Sequence, residues 1–190
     1  FMALFTDIVY SFLNGINYYA VCIALAHYGK PVVGVVYRPS TKEGFSAIFQ
    51  GGATFSLNGF KTRKKMLAKT NTKELKQSIF CTGFATEKGE RIGEEFLPFK
   101  RILTNSRAVR RMGSAALDLC YVARGIYDGF WERHLAPWDV AAAGLICLES
   151  GSKVTDFSGQ AFTPFDRTIV AARVPLYDKI KNLIALNKAK

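Results

Sequence analysis

Apolar and polar positions run first at the pace of strands and later at the pace of helices. Tyr18 to Ala26 is an apolar run, broken by the turn residues Tyr28-Gly29-Lys30-Pro31. The β-branched stretch Val32-Val33-Gly34-Val35-Val36-Tyr37 predicts a second strand. Arg38 to Gly44 has turn chemistry and Phe45 to Phe49 predicts a third strand. Gly51 to Gly59 predicts a hairpin closed by Asn58-Gly59. Successive strands joined by tight turns predict an antiparallel sheet. The cationic stretch from Lys61 to Lys69 reads as a surface loop.

Beyond it the period changes. Ile79 to Phe84 predicts a short buried strand, and Ile92, Phe96 and Phe99 give Glu87 to Lys100 a helical spacing. Ser114 to Gly125 is the clearest helix. Leu117, Cys120, Tyr121 and Arg124 follow i, i+3, i+4, i+7, and Gly125 is a C-terminal stop. Tyr127 to Glu132 predicts a strand. Pro137-Trp138-Asp139 opens a helix that runs to Glu149 and stops at Gly151. Thr168 to Ala172 predicts a last strand and Leu176 to Leu186 a closing helix. The class is α+β, with sheets covered by helices.

Composition narrows the picture. With 190 residues, 49% of them hydrophobic and 22% charged, the chain is expected to form one compact domain over residues 1–190, or a large part of one, rather than a disordered segment. No apolar run reaches the roughly 18 residues of a membrane helix, and the start, Phe1 to Phe5, lacks the features of a signal peptide. A cytoplasmic protein without a membrane anchor is the expectation. Cys22, Cys81, Cys120 and Cys147 stand singly, with no metal-ligand spacing, and read as reduced structural thiols. The net charge of +11 admits a polyanionic partner such as nucleic acid, or an ordinary solvated surface.

Chemistry concentrates between Arg110 and Ala142. Asp139 falls in the first turn of a helix, where the dipole favours a carboxylate, so it is a helix cap or a site residue. Glu132 ends an apolar strand, where an unpaired charge is costly, so it faces solvent or awaits a polar ligand. Gly113-Ser114 at a helix start offers backbone N–H groups to oxygen atoms, or caps the helix. His27 ends a strand before a turn and reads as solvent-facing, His134 stands near Asp139 in sequence with no catalytic role expected of it, and Trp131 and Trp138 read as core or pocket wall.

Trp138-Asp139-Val140-Ala141-Ala142, followed by Glu149-Ser150-Gly151-Ser152, resembles the second signature of the inositol monophosphatase family, the magnesium-dependent sugar-phosphate phosphatases. Gly113 to Leu119, Asp128 to Glu132, Pro31 to Tyr37, Thr82-Gly83-Phe84 and Ile169 to Ala172 resemble the same family in order, from about Tyr10 onward. The resemblance implies a layered αβαβα sandwich of the inositol monophosphatase and fructose-1,6-bisphosphatase type, its N-terminal part incomplete. It implies Mg²⁺ as cofactor, Asp139 as catalytic residue and metal ligand, and a pocket for the substrate made by Glu132, Gly113, Ser114 and Ala115, with Arg110 near its mouth. A homodimer is implied as well.

The family's first signature, Asp-Pro-Leu-Asp-Gly-Thr, with most of the metal ligands, is not in the chain. Tyr10 to Gly15 resembles the segment just after that signature, whereas Phe5-Thr6-Asp7-Ile8-Val9 resembles an element further upstream. Either a segment is missing between Val9 and Tyr10, or the alignment is ungapped and Asp7 replaces the signature's second Asp. The expected function is Mg²⁺-dependent hydrolysis of a polyol or sugar phosphate, myo-inositol monophosphate first. A fructose-1,6-bisphosphatase-like activity is one alternative. The other is a non-catalytic protein of this fold that binds nucleic acid or a transcription complex.

Overall fold

The computed structural model describes residues 2–7, 9–67, 72–84 and 93–185, with side chains from residue 11 onward. The chain begins with β1 (Met2–Asp7) and a short α1 (Val9–Leu13), which spans the Val9–Tyr10 bond. Then come β2 (Ala20–His27), β3 (Lys30–Arg38), β4 (Glu43–Ile48), β5 (Gly52–Ser56) and β6 (Lys64–Met66). These six strands form one antiparallel sheet in chain order. Asn58-Gly59 lies in the β5–β6 connection. Part of the expected cationic loop is therefore an edge strand, with Lys64 and Lys65 exposed. Lysine on an edge strand discourages further strand pairing, which is how so polar a run can be β structure.

The second half supplies β7 (Ile79–Thr82), α2 (Gly93–Asn105), β8 (Ala108–Arg110), α3 (Ala115–Arg124), β9 (Gly129–Arg133), α4 (Pro137–Glu149), β10 (Lys153–Thr155), β11 (Thr168–Ala172) and α5 (Val174–Ile184). The second sheet has the order β10-β11-β9-β7-β8, with β7 parallel to both β8 and β9. The first part of the helix expected from Glu87 lies outside the described residues. Its described part runs past Lys100 to Asn105, because Ile102 continues the buried face.

α3 and α4 form the layer between the sheets. Nearly every side chain of α3 and most of those of α4 are buried, as suits helices covered on both sides. β3 and α4 touch through their backbones: a Cβ on Gly34 would lie 2.7 Å from the Ala142 carbonyl oxygen. On the far side of the second sheet, α2 and α5 close a smaller core around Phe80, Ile102, Trp131, Val170, Tyr177 and Ile180. Four successive layers of the sandwich, β-α-β-α, thus lie among the described residues. All four cysteines are buried and unbridged.

A polar cluster joins the first sheet to the helical layer. Glu43 accepts from the Tyr121 hydroxyl at 2.7 Å and pairs with Arg124 at 3.0 Å and Arg38 at 3.4 Å. Arg38 also donates to the Tyr121 hydroxyl at 2.7 Å and to the Asn17 carbonyl at 2.6 Å. Buried charges persist when they are paired in this way.

Candidate active site

The parallel strands β7 and β9 both end at one cleft, the usual place for a ligand beside parallel strands. Thr82, Gly83 and Phe84 approach it from β7, and Glu132, Arg133 and His134 from β9. Arg111, Gly113, Ser114, Ala115 and Asp118 come from the start of α3, and Leu135 and Asp139 from the start of α4. The space they enclose is about 220 Å³.

Local sequence explains each placement. Gly113 has φ +92°, a left-handed conformation that glycine adopts without strain. Ser114 follows as N-cap of α3, its hydroxyl accepting from Leu117 N–H at 3.3 Å. The positive end of the α3 dipole therefore faces the cleft. Glu132 lies directly over Gly83, so that a Cβ at position 83 would collide with its carboxylate. Glycine at 83 makes the room that Glu132 occupies.

Asp139 is half-buried in the first turn of α4, and its Oδ2 accepts from Ala136 N–H at 2.9 Å. It is thus a helix cap and a cleft residue at once. Burial raises its pKa above the ordinary carboxylate value, against the lowering effect of the Ala136 hydrogen bond. Asp118 is fully buried beneath the cleft, and its Oδ1 accepts from the Tyr18 hydroxyl at 2.7 Å. Burial, then the Asp118 charge and that hydrogen bond, push the Tyr18 hydroxyl far above its usual range. Burial also pushes up the Cys81 and Cys147 thiols, which leaves them protonated and unreactive.

Of the residues expected at the site, Asp139, Glu132, Gly113, Ser114 and Ala115 line this cleft together, and Arg110 does not. Arg110 ends β8, is exposed, and donates to the carbonyl of Val109 at 3.2 Å, while the next residue, Arg111, faces the cleft. Adjacent residues leaving a strand point to opposite sides. Sequence reasoning also passed over Asp118, although a lone charge in the apolar run Ala115–Ala123 was a visible signal. His134 lines the cleft, whereas His27 lies exposed at the end of β2.

The implied cofactor is not matched by the described residues. Among them, no group of three or more His, Cys, Asp or Glu side chains lies close enough to hold a metal ion. Asp139 alone, with one oxygen engaged by Ala136 N–H, does not make the multi-oxygen site that Mg²⁺ requires.

A model of the inositol monophosphatase family matches residues 9–188, and the chain belongs to that family. It is 35% identical over 174 residues to the Nus factor SuhB of Pasteurella multocida, covering 92% of this chain and 62% of that relative. It is 37% identical over 149 residues to an inositol-1-monophosphatase of Rhizobium meliloti, covering 78% of this chain and 53% of the relative. The chain thus spans between half and two thirds of the length of these curated relatives. In structure it resembles the extragenic suppressor protein suhB of Bartonella henselae, with TM-score 0.88 and 32% identity over 98% of this chain and 70% of that one. No helix among the described residues is long and apolar enough to cross a membrane.

Proposed function

We propose that the protein is a phosphatase that releases phosphate from a polyol or sugar phosphate monoester, myo-inositol monophosphate first, in the presence of Mg²⁺. The observation that carries this reading is the convergence of Glu132, Asp139 and the α3 N-terminus on one cleft. An ionised Glu132 accepts hydrogen bonds and donates none, which suits a ligand rich in hydroxyl groups. The α3 N-terminus favours an anion. A ring with hydroxyls on one side and a phosphate on the other satisfies both. Membership of the family and the inositol-1-monophosphatase among the relatives support the reading. A homodimer belongs to the same proposal.

No chemical step through a metal is assigned to the described residues. The test is phosphate release from inositol 1-phosphate, with and without Mg²⁺, by the natural protein and by Asp139→Asn. Mg²⁺-dependent release that falls at least about a hundredfold in the variant is expected, on the scale of losing one transition-state electrostatic contact. An active variant overturns the role of Asp139, and a silent natural protein overturns the phosphatase reading.

The second reading, a polyanion-binding protein of this fold, is favoured by one observation. Lys61, Arg63, Lys64 and Lys65 are all exposed at one edge of the first sheet, in a chain of net charge +11. The relatives named Nus factor SuhB lend it support. It predicts salt-sensitive retention on RNA together with no phosphate release.

A further inference from the structure

The link between β9 and α4 is short, His134 to Ala136, and it carries the chain from Glu132 to Asp139, both in the cleft. His134 makes this turn in a left-handed conformation, φ +60°. Its N–H donates to the Arg167 carbonyl at 2.6 Å, one residue beyond the Arg133–Thr168 pair, so the β9–β11 ladder fixes the backbone there. Among the described residues, Tyr28, Lys42, Gln50 and Phe60 are the other non-glycine residues with a positive φ, and all four lie in connections between strands of the first sheet. Of the five, His134 lines the cleft and the others do not. It is exposed there, and its ring has no hydrogen-bond partner among the described residues.

Glycine meets a left-handed position at no steric cost, whereas a side chain there crowds its own backbone. Histidine is among the few residues that tolerate it, and a strained position kept at a cleft points to work for the side chain. The work follows from what Glu132 lacks. An ionised carboxylate only accepts hydrogen bonds, whereas each hydroxyl of a polyol both donates and accepts. An imidazole carries at least one N–H donor in either protonation state. We propose that His134 is a specificity-determining residue whose ring N–H donates to a hydroxyl oxygen of the polyol, next to the hydroxyl that donates to Glu132. This rests on the polyol phosphate reading and adds a residue to it. Two neighbouring hydroxyls are then held in both senses, one as donor to Glu132 and one as acceptor from His134. A hydroxylated ring is thereby told from a bare one with no contact to the phosphate.

Titration calorimetry with Mg²⁺ withheld reads binding apart from turnover. The ligands are inositol 1-phosphate and cyclohexyl phosphate, the same ring without its hydroxyls. The proteins are the natural one, His134→Gly, which keeps the left-handed backbone and removes the ring, and His134→Asn, which tolerates that backbone and restores an N–H donor. The affinity for inositol 1-phosphate relative to cyclohexyl phosphate should fall about fivefold in His134→Gly, the scale of one neutral hydrogen bond, and be partly restored in His134→Asn. An unchanged ratio in His134→Gly, no recovery in His134→Asn, or no binding of inositol 1-phosphate by the natural protein overturns the proposal. Phosphate release in Mg²⁺ is read separately. Release with an unchanged ratio removes this inference and leaves the phosphatase reading, and a changed ratio without release does the reverse. His134→Gly is expected to melt at least as high as the natural protein, because the strain is relieved. A lower melt with both ligands weakened alike would assign the ring to the fold and overturn its role in recognition.

Discussion

Asp139 occupies a place that its own charge resists. Burial favours its neutral form, so the folded chain binds a proton there more readily than the unfolded chain does. Ionised Asp139 therefore weakens the fold, fully so once the pH exceeds the raised pKa and not at all below the unfolded value of 3.8. Asparagine can still accept from Ala136 N–H without carrying charge. Asp139→Asn is expected to melt no lower than the natural protein at about pH 7, with the advantage fading as the pH falls to about 4. Melting curves across that range check it, and a uniform loss at every pH would mean the charge is not strained. At this scale much was legible. Glu132 and Asp139 stood out because a carboxylate beside apolar or aromatic neighbours needs a reason. Arg111 was hidden behind Arg110, because which of two neighbours faces the cleft depends on the residue where β8 ends.

Among the elements, α3 carries the most function per residue, since its N-terminus is cap, anion site and cleft wall together. Ser114→Ala removes the hydroxyl that accepts from Leu117 N–H. It should cost about 1 kcal/mol in urea unfolding, with most of that restored by Ser114→Asn. Equal stability of Ser114→Ala would show that the first turn is held by packing alone. This helix was legible almost to the residue, because Ser114, the periodic apolar positions and Gly125 agree. The edge strand β6 was not legible. Three residues with two outward lysines carry too little alternation to separate a strand from a loop, and their pairing with β5 is made by backbone alone.

At the scale of the molecule, the layered order follows from patterning, since runs apolar on every side must lie between other layers. The contacts that join those layers do not. Arg38 and Glu43 read as turn residues and Tyr121 and Arg124 as part of one helix face, and only folding brings the four together. Glu43→Ala leaves two arginines facing a buried tyrosine without their carboxylate. It is expected to cost about 3–5 kcal/mol in chemical unfolding, the range for breaking a buried ion pair from one side. A loss under about 1 kcal/mol, the range of exposed pairs, would show that the cluster is solvated in solution.

The parallel pairing of β7 with β9 has a consequence for how the molecule is made. Residues 80–82 must find residues 129–131 across an intervening helix pair and strand, and such distant pairing is slow because loop closure precedes any gain from contact. The cleft opens where those two strands end, so it comes into being only when the pairing closes. A ligand that fills it acts as a witness to the finished fold: it binds the completed molecule, withdraws it from the pool that can still come apart, and favours its accumulation during synthesis.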